Sequence, residues 1–315
     1  MTTYVIQRVL LLLLTLVIVC WLAFSALRIM PGSAAEAMVG TNGYAEDTNA
    51  LREKLGLNDP YYVQFWDWSR HLLVGDLGKS LYSGDSITSE FRRRLPTTAL
   101  LGTLTLFFAW STGVPLGILT AIKQGTPIDE ASRTISVLFM AVPSFWLATM
   151  FLVFSAIWFG YSPPLRFASL TADPVLHLKI LFWPAVIAAL PISASVARVT
   201  RTLMLEVIRQ DYMRTARAKG LAQQAILFRH GLKNAAPPLI TIMGIQLATV
   251  VSGAVIVEQV FAIPGMGRYT IEAATRRDYP VVQAMLLLSA TVLLVLNLVV
   301  DLLYGYLDPR IRLTR

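Results

Sequence analysis

The chain has 315 residues, 55% of them hydrophobic and only 15% charged, with a mean hydropathy of +0.59. Soluble domains carry about 25% charged residues; this deficit, with apolar runs of about 20 residues, excludes a soluble globular protein and places the chain in a bilayer. The formal net charge of +8 therefore speaks first of topology and not of a nucleic-acid partner.

In chain order, residues 1–8 precede an uncharged run, Val9–Leu27. A signal-peptide core is about 7–15 residues long. This run is longer and no small-x-small cleavage site follows it, so it reads as a retained first span. It holds Cys20, the single cysteine, which can make no intrachain disulfide and reads as a small core or lipid-facing residue. Residues 28–97 form a long external loop. Within it, Leu51–Ser80 has a helical pattern broken at Gly75 and Gly78. Its aromatics Tyr61, Tyr62, Phe65, Trp66 and Trp68 suit either a membrane interface or a partly buried surface helix. Gly78-Lys79-Ser80 looks like the end of a phosphate-binding loop, but Leu73 stands where that loop needs its first glycine. No other Gly-Lys-Ser/Thr occurs, so the chain is not expected to bind ATP in that way. His71, His177 and His230 fit no zinc spacing. Glu90–Pro96 (EFRRRLP) reads as a cationic turn ahead of the second span, placed for lipid headgroups or for an external partner.

Five further spans follow at Thr98–Ile122, Thr134–Phe159, Ile180–Ala197, Leu239–Val257 and Val281–Tyr304. Each is long enough to cross a hydrocarbon core of about 30 Å. Pro184 and Pro191 interrupt the fourth; such prolines are tolerated where neighbours satisfy the freed carbonyls. Gly113 and Gly117 form a G-x-x-x-G pair in the second span, a spacing that lets two helices approach closely. With both termini inside, the inner segments 1–8, 123–133, 198–238 and 305–315 hold 14 Lys/Arg against 5 Asp/Glu, while the outer segments hold 13 of each. The positive-inside rule counts Lys and Arg. The cluster in 198–238 and the tail residues Arg310, Arg312 and Arg315 thus set the orientation. The expected fold is an all-α polytopic membrane protein with six transmembrane helices, N-in and C-in. Its transmembrane core spans 98–305, with a cytoplasmic tail at 306–315 and a helical cytoplasmic loop, 198–238, between the fourth and fifth spans.

That loop carries the functional signal. Asp211 is a candidate N-cap for a helix over Tyr212–Lys219. Arg217 and Lys219 sit in its last turn, where cations suit the helix dipole, and Gly220 can take the left-handed conformation that closes it. A second helix is expected over Ala222–Asn234, ended by Pro237-Pro238, which can begin the fifth span. Ala216 and Ala218 permit close approach to a partner surface, and the arginines can pair with acidic groups there. The same pattern also suits a basic amphipathic loop resting on anionic lipid. Glu258 and Gln259, where the fifth span ends, are either an outer gate that meets a cationic substrate terminus or a headgroup-level cap on the helix.

The run DYMRTARAKGL (211–221) followed by HGLKNA (230–235) resembles the EAA loop of binding-protein-dependent ABC importer permeases, in the dipeptide/oligopeptide/nickel form. The general pattern is Glu-Ala-Ala, three residues, Gly. Aligned on Gly220, the triplet here is Arg214, Thr215 and Ala216, a departure that matches the peptide-importer variant. The later Ile-x-Leu-Pro is absent; His230, Leu232 and Lys233 stand there. Met30-Pro31-Gly32, LGLNDP (55–60), GDLGKS (75–80), RRLPTT (93–98), VEQVFAIPGMGR (257–268), RDYPVVQA (277–284) and NLVVDLLYGYLDPRIR (297–312) are also similar to that family, in its order and spacing.

The resemblance implies a bacterial inner-membrane permease that forms a pore with a second, different permease subunit. Two ABC ATPase subunits would bind ATP and Mg, and an extracytoplasmic solute-binding protein would deliver substrate; this chain would hold no cofactor or metal and would not itself be an enzyme. The stretch Asp211, Tyr212, Arg214, Thr215, Ala216, Arg217, Ala218, Lys219, Gly220, Leu221 would be the coupling helix, seated in a groove of the ATPase. Di- and oligopeptides are the first expectation for substrate, with nickel chelates and glutathione as alternatives. The rival from another class is an ion-gradient-driven secondary transporter. Such proteins keep ionisable residues at mid-membrane, and the spans here hold almost none. A membrane-embedded enzyme would want a nucleophile with a base or a metal set, and the spans show neither.

Overall fold

The structure, a computed structural model, describes residues 2–29, 53, 58–164 and 166–307. The Met30-Pro31-Gly32 stretch, residues 55–57 of LGLNDP, and the tail with Arg310, Arg312 and Arg315 lie outside the described residues. The regular structure of the described residues is helical, with one isolated bridge between Lys79 and Ser86. Four helices among them are long and apolar enough to cross a membrane, or five if one bent pair counts as a single span.

The chain divides into two compact units, one made of Thr97–Ile263 with Met1 and Val299–Arg315, the other of Thr2–Pro96 with Pro264–Leu298. In the second unit α1 (Thr2–Ile29) is largely apolar, and most of its span Val5–Ser25 is unburied, as suits a helix facing lipid, with Ala23 and Phe24 buried near its end. Near its end Trp21 and Phe24 pack edge-on against Phe65 of α2 (Tyr61–Leu73), and Trp68 lies beside Phe24. The aromatics of α2 therefore split between the two readings: Phe65 and Trp68 pack inward, while Tyr61, Tyr62 and Trp66 remain exposed.

The first unit is built from α3 (Ile87–Ile122), which begins in the other unit, α4 (Pro127–Ala141), α5 (Ser144–Phe159), α6 (Pro174–Ile208) and α8 (Lys233–Val260). Its core gathers Leu101 of α3, Ala148 of α5, Leu181, Ala185 and Ile187 of α6, and Ala254 and Val257 of α8. The remaining helices are α7 (Asp211–Ala218), α9 (Met266–Thr275) and α10 (Tyr279–Leu307).

Three sequence expectations are corrected. EFRRRLP is not a turn; α3 starts at Ile87 and runs straight through it. Glu90 holds Arg93 at 2.6 Å and Arg94 at 2.9 Å, one helical turn on. Arg94 is consequently turned inward, 4.4 Å from the ring centre of Tyr269, and only Arg92 and Arg93 remain exposed. The expected single span Thr134–Phe159 is broken into α4 and α5, bent by 101°. The cause is Pro143. It has no N–H to continue the ladder, and it pushes Val142 out of the helical region to φ −81°, ψ 128°.

By contrast, Pro184 and Pro191 lie inside an unbroken 35-residue α6, which opens on the Asp173 side chain capping Leu176 N–H. Finally, Pro237-Pro238 does not end a helix. After one turn at Gln223–Ala225, Ile226–Leu232 is π-helical and runs directly into α8, which contains both prolines. A π turn just ahead of two missing donors is one way a membrane helix accommodates them.

Candidate functional site

The stretch singled out in the sequence folds as α7, seated at the end of α6. Val207 and Ile208 close α6, Gln210 takes an extended conformation, and α7 starts at Asp211. Asp211 is thus the first helical residue and not the N-cap; Gln210 occupies that place, and its side chain makes no capping bond. The Asp211 carboxylate instead meets Arg214 at 3.5 Å, with both side chains largely exposed, a contact worth little in water.

The helix has one inward face. Met213 is fully buried and Ala216 is 8% exposed; three residues apart, they pack on Ile226 of the π segment and on Val207 and Ile208. Ala216 is therefore a packing residue of this chain and is not open to a partner surface. Asp211, Tyr212, Arg214, Thr215, Arg217, Ala218, Lys219, Gly220 and Leu221 face outward. The exposed surface is cationic, with Tyr212 and Leu221 as its apolar ends.

The exit is a double-bonded helix stop. Gly220 N–H donates to Arg217 O at 2.9 Å and Leu221 N–H to Ala216 O at 3.4 Å. Gly220 sits at φ +76° with nothing within 4 Å of where a Cβ would be. This is the pairing in which a left-handed residue satisfies the last carbonyls of a helix.

Residues outside the predicted set complete the seat. Met204 on α6 is fully buried with Leu227 and with Ala235 of α8. A Cβ on Gly231 would lie 3.1 Å from Met204 Cε and 3.7 Å from Met213 Cε, so a larger residue there would require the Met204 side chain to give way. The available signal was a large apolar residue three positions before Ala216 inside a charged stretch, which marks an inward stripe.

Gly113 and Gly117 lie against α6. A Cβ on Gly113 would stand 2.7 Å from Ser193 O, and one on Gly117 would stand 2.5 Å from Ala197 O. Thr112 adds a hydroxyl pair with Ser193 at 2.7 Å. Glu258 and Gln259 part company. Gln259 is exposed, whereas Glu258 is fully buried and accepts a hydrogen bond from Thr98 Oγ1 at 2.6 Å. A headgroup-level cap does not fit that burial.

In the second unit, two stretches far apart in sequence meet. Ser80 Oγ donates to Asp278 at 2.5 Å and Leu81 N–H donates to the same carboxylate at 3.2 Å, tying the GDLGKS loop to RDYP. Beside this tether is a polar cleft of about 190 Å³, lined in part by Glu90, Arg93, Arg94, Tyr269, Glu272 and Arg276. Burial pushes the Tyr269 hydroxyl up to about 12, with the charges of Glu90 and Asp278 adding to the effect.

Comparison with known proteins bears on both units. The family model described as "Binding-protein-dependent transport system inner membrane component" matches residues 113–313, and its N-terminal counterpart matches residues 1–102. A probable peptide ABC transporter permease protein, y4tP of Sinorhizobium fredii, is 36% identical over 99% of this chain and 100% of its own length. The dipeptide transport system permease protein DppB of Alkalihalophilus pseudofirmus is 36% identical over 99% of this chain and 100% of its own. Among solved structures, the MetNI methionine ABC transporter matches with a TM-score of 0.54 at 21% identity, covering 69% of this chain and 96% of that one.

Proposed function

The chain belongs to the family of binding-protein-dependent transport system inner membrane components, and from that premise we propose that it is a pore-forming permease subunit of an ATP-driven ABC importer for di- or oligopeptides. The full-length peptide and dipeptide permease relatives support the substrate class. The observation that carries the mechanism is α7: short, basic, exposed on one face, anchored on the other by Met213 and Ala216, and stopped at a left-handed glycine. A helix so held transmits a push instead of absorbing it. The Lys/Arg excess supports a cytoplasmic position for it, in reach of two ATPase subunits that bind ATP and Mg. A second permease subunit completes the pore, and an external binding protein delivers the peptide. Closure of the ATPases moves α7, and the attached helices then exchange inward- for outward-facing access.

The test is reconstitution of the complex in proteoliposomes with a labelled dipeptide. The expected result is uptake that needs ATP, the ATPases and the loaded binding protein, and that survives a protonophore. Uptake driven by an ion gradient without the ATPases would overturn the reading in favour of a secondary transporter, with the buried Glu258 as the residue to examine.

A further inference from the structure

We infer that Asp129 and Arg201 are positioning residues, a buried strut that carries the movement of α7 across α6 to the bent pair α4–α5. The inference rests on the coupling role proposed above for α7. Arg201 Nε and Nη2 donate to the two carboxylate oxygens of Asp129 at 2.7 and 2.8 Å. Gly125 N–H donates to the same carboxylate at 3.0 Å. The Asp129 side chain is 2% exposed and that of Arg201 17%. Such a two-pronged bond fixes both distance and angle between its helices. A buried pair of this kind is weak evidence for stability, since an apolar replacement of both partners is often neutral. Its geometry is what distinguishes it.

The placement gives that geometry a task. Arg201, Met204 and Ile208 fall at i, i+3 and i+7 on α6, one continuous stripe. Ile208 receives α7 through Met213, Met204 packs against the π segment, and Arg201 grips Asp129 in the first turn of α4. Ile208 and Arg201 are separated by two helical turns, about 10 Å along the axis. Beyond Asp129, α4 runs to the break at Val142-Pro143 and the 101° bend into α5. With the strut in place, α6 and the start of α4 move as one body, and the break at Pro143 is the first place where the motion can become a change of angle.

The test uses the complete importer in proteoliposomes. Asp129→Leu with Arg201→Met removes both charges together, so no lone buried charge remains to unfold the chain. The expected result is normal assembly and thermal stability, retained ATP hydrolysis, and a fall of about tenfold in peptide carried per ATP; the exchanged pair Asp129→Arg with Arg201→Asp recovers part of it. Spin labels at Ile135→Cys and Thr202→Cys, in a Cys20→Ser background, report the strut directly. Their separation stays fixed between nucleotide-free and ATP-trapped states in the parent and changes in the double variant. An unaltered peptide-to-ATP ratio or an unaltered label separation in the double variant overturns the strut. A separate arm crosslinks Arg217→Cys to the ATPase subunit. Its presence alongside a normal double variant defeats the strut alone; its absence defeats the coupling role of α7 itself.

Discussion

Replacing Gly220 isolates the backbone contribution to the coupling proposed for α7, because the site offers no side-chain complication. The residue is at φ +76°, and an added Cβ meets no atom within 4 Å. The cost of a substitution is therefore the left-handed conformation alone, about 1–2 kcal/mol for an ordinary residue. Asn tolerates that region better than Ala, and a β-branched residue tolerates it least. A penalty of that size lowers the population of the correct helix exit by a factor of about 5–30. The expected order of peptide uptake per ATP in proteoliposomes is Gly220, then Gly220→Asn, then Gly220→Ala, then Gly220→Val. ATP hydrolysis and thermal stability should remain close to the parent. Normal uptake by Gly220→Val would refute the argument. So would Gly220→Asn failing as badly as Gly220→Val, since that result would mean a partner fills the open space and the backbone is not the issue.

Three further outcomes follow from other parts of the molecule. Gly117→Val drives a side chain into Ala197 O, 2.5 Å from its Cβ position, and into Thr200 beside it; overpacking of this kind costs about 1–3 kcal/mol and should lower the melting temperature in detergent. Asp278→Ala leaves the Ser80 hydroxyl and Leu81 N–H, now bonded at 2.5 and 3.2 Å, without this acceptor. Limited proteolysis should then cut the 75–86 loop faster, and Asp278→Asn, which keeps a carbonyl oxygen, should show a smaller change. Tyr269 is neutral when folded up to about pH 12, against 10.0 for an ordinary phenol. The unfolded phenol ionises first, so its contribution to stability is complete below pH 10 and is lost between 10 and 12; Tyr269→Phe should flatten that part of the stability profile.

Much of the helical plan is legible in residue order, because apolar runs and charge gaps are first-order signals in a membrane chain. Gly220 stands out for the same reason, as the one glycine after a two-turn cationic helix. The departures from that plan share one origin: local rules stop where tertiary partners begin. EFRRRLP looks like a turn by charge and proline, yet Glu90 pairs with the arginines one turn on and Arg94 finds Tyr269, about 175 positions later. Pro143 breaks a span that hydropathy joins, while Pro184 and Pro191 do not break theirs. Ala216, a small residue of the kind that suits interfaces, packs instead within this chain. Its burial depends on Ile226, which folds back only because the intervening residues turn at Gly220.

The role of α6 follows from how differently its neighbours hold it. Toward α3 the contact is close-packed at Gly113 and Gly117, which lie against the Ser193 and Ala197 carbonyls and the branched side chains of Val196 and Thr200. Toward α4 it is a two-pronged ion pair, and toward α7 it is a methionine seated on Val207 and Ile208. Interdigitated contacts of the first two kinds resist sliding because small displacements meet hard repulsion at once. A displacement imposed on α7 therefore has no compliant joint along α6 in which to dissipate. Beyond the Asp129–Arg201 pair, the interruption of the helical ladder that follows along α4 is the extended Val142 before Pro143. On the coupling role proposed for α7, a change of pore shape falls to that break, and a substitution that restores the ladder there, Pro143→Ala, should stiffen α4–α5 and slow transport without touching α7.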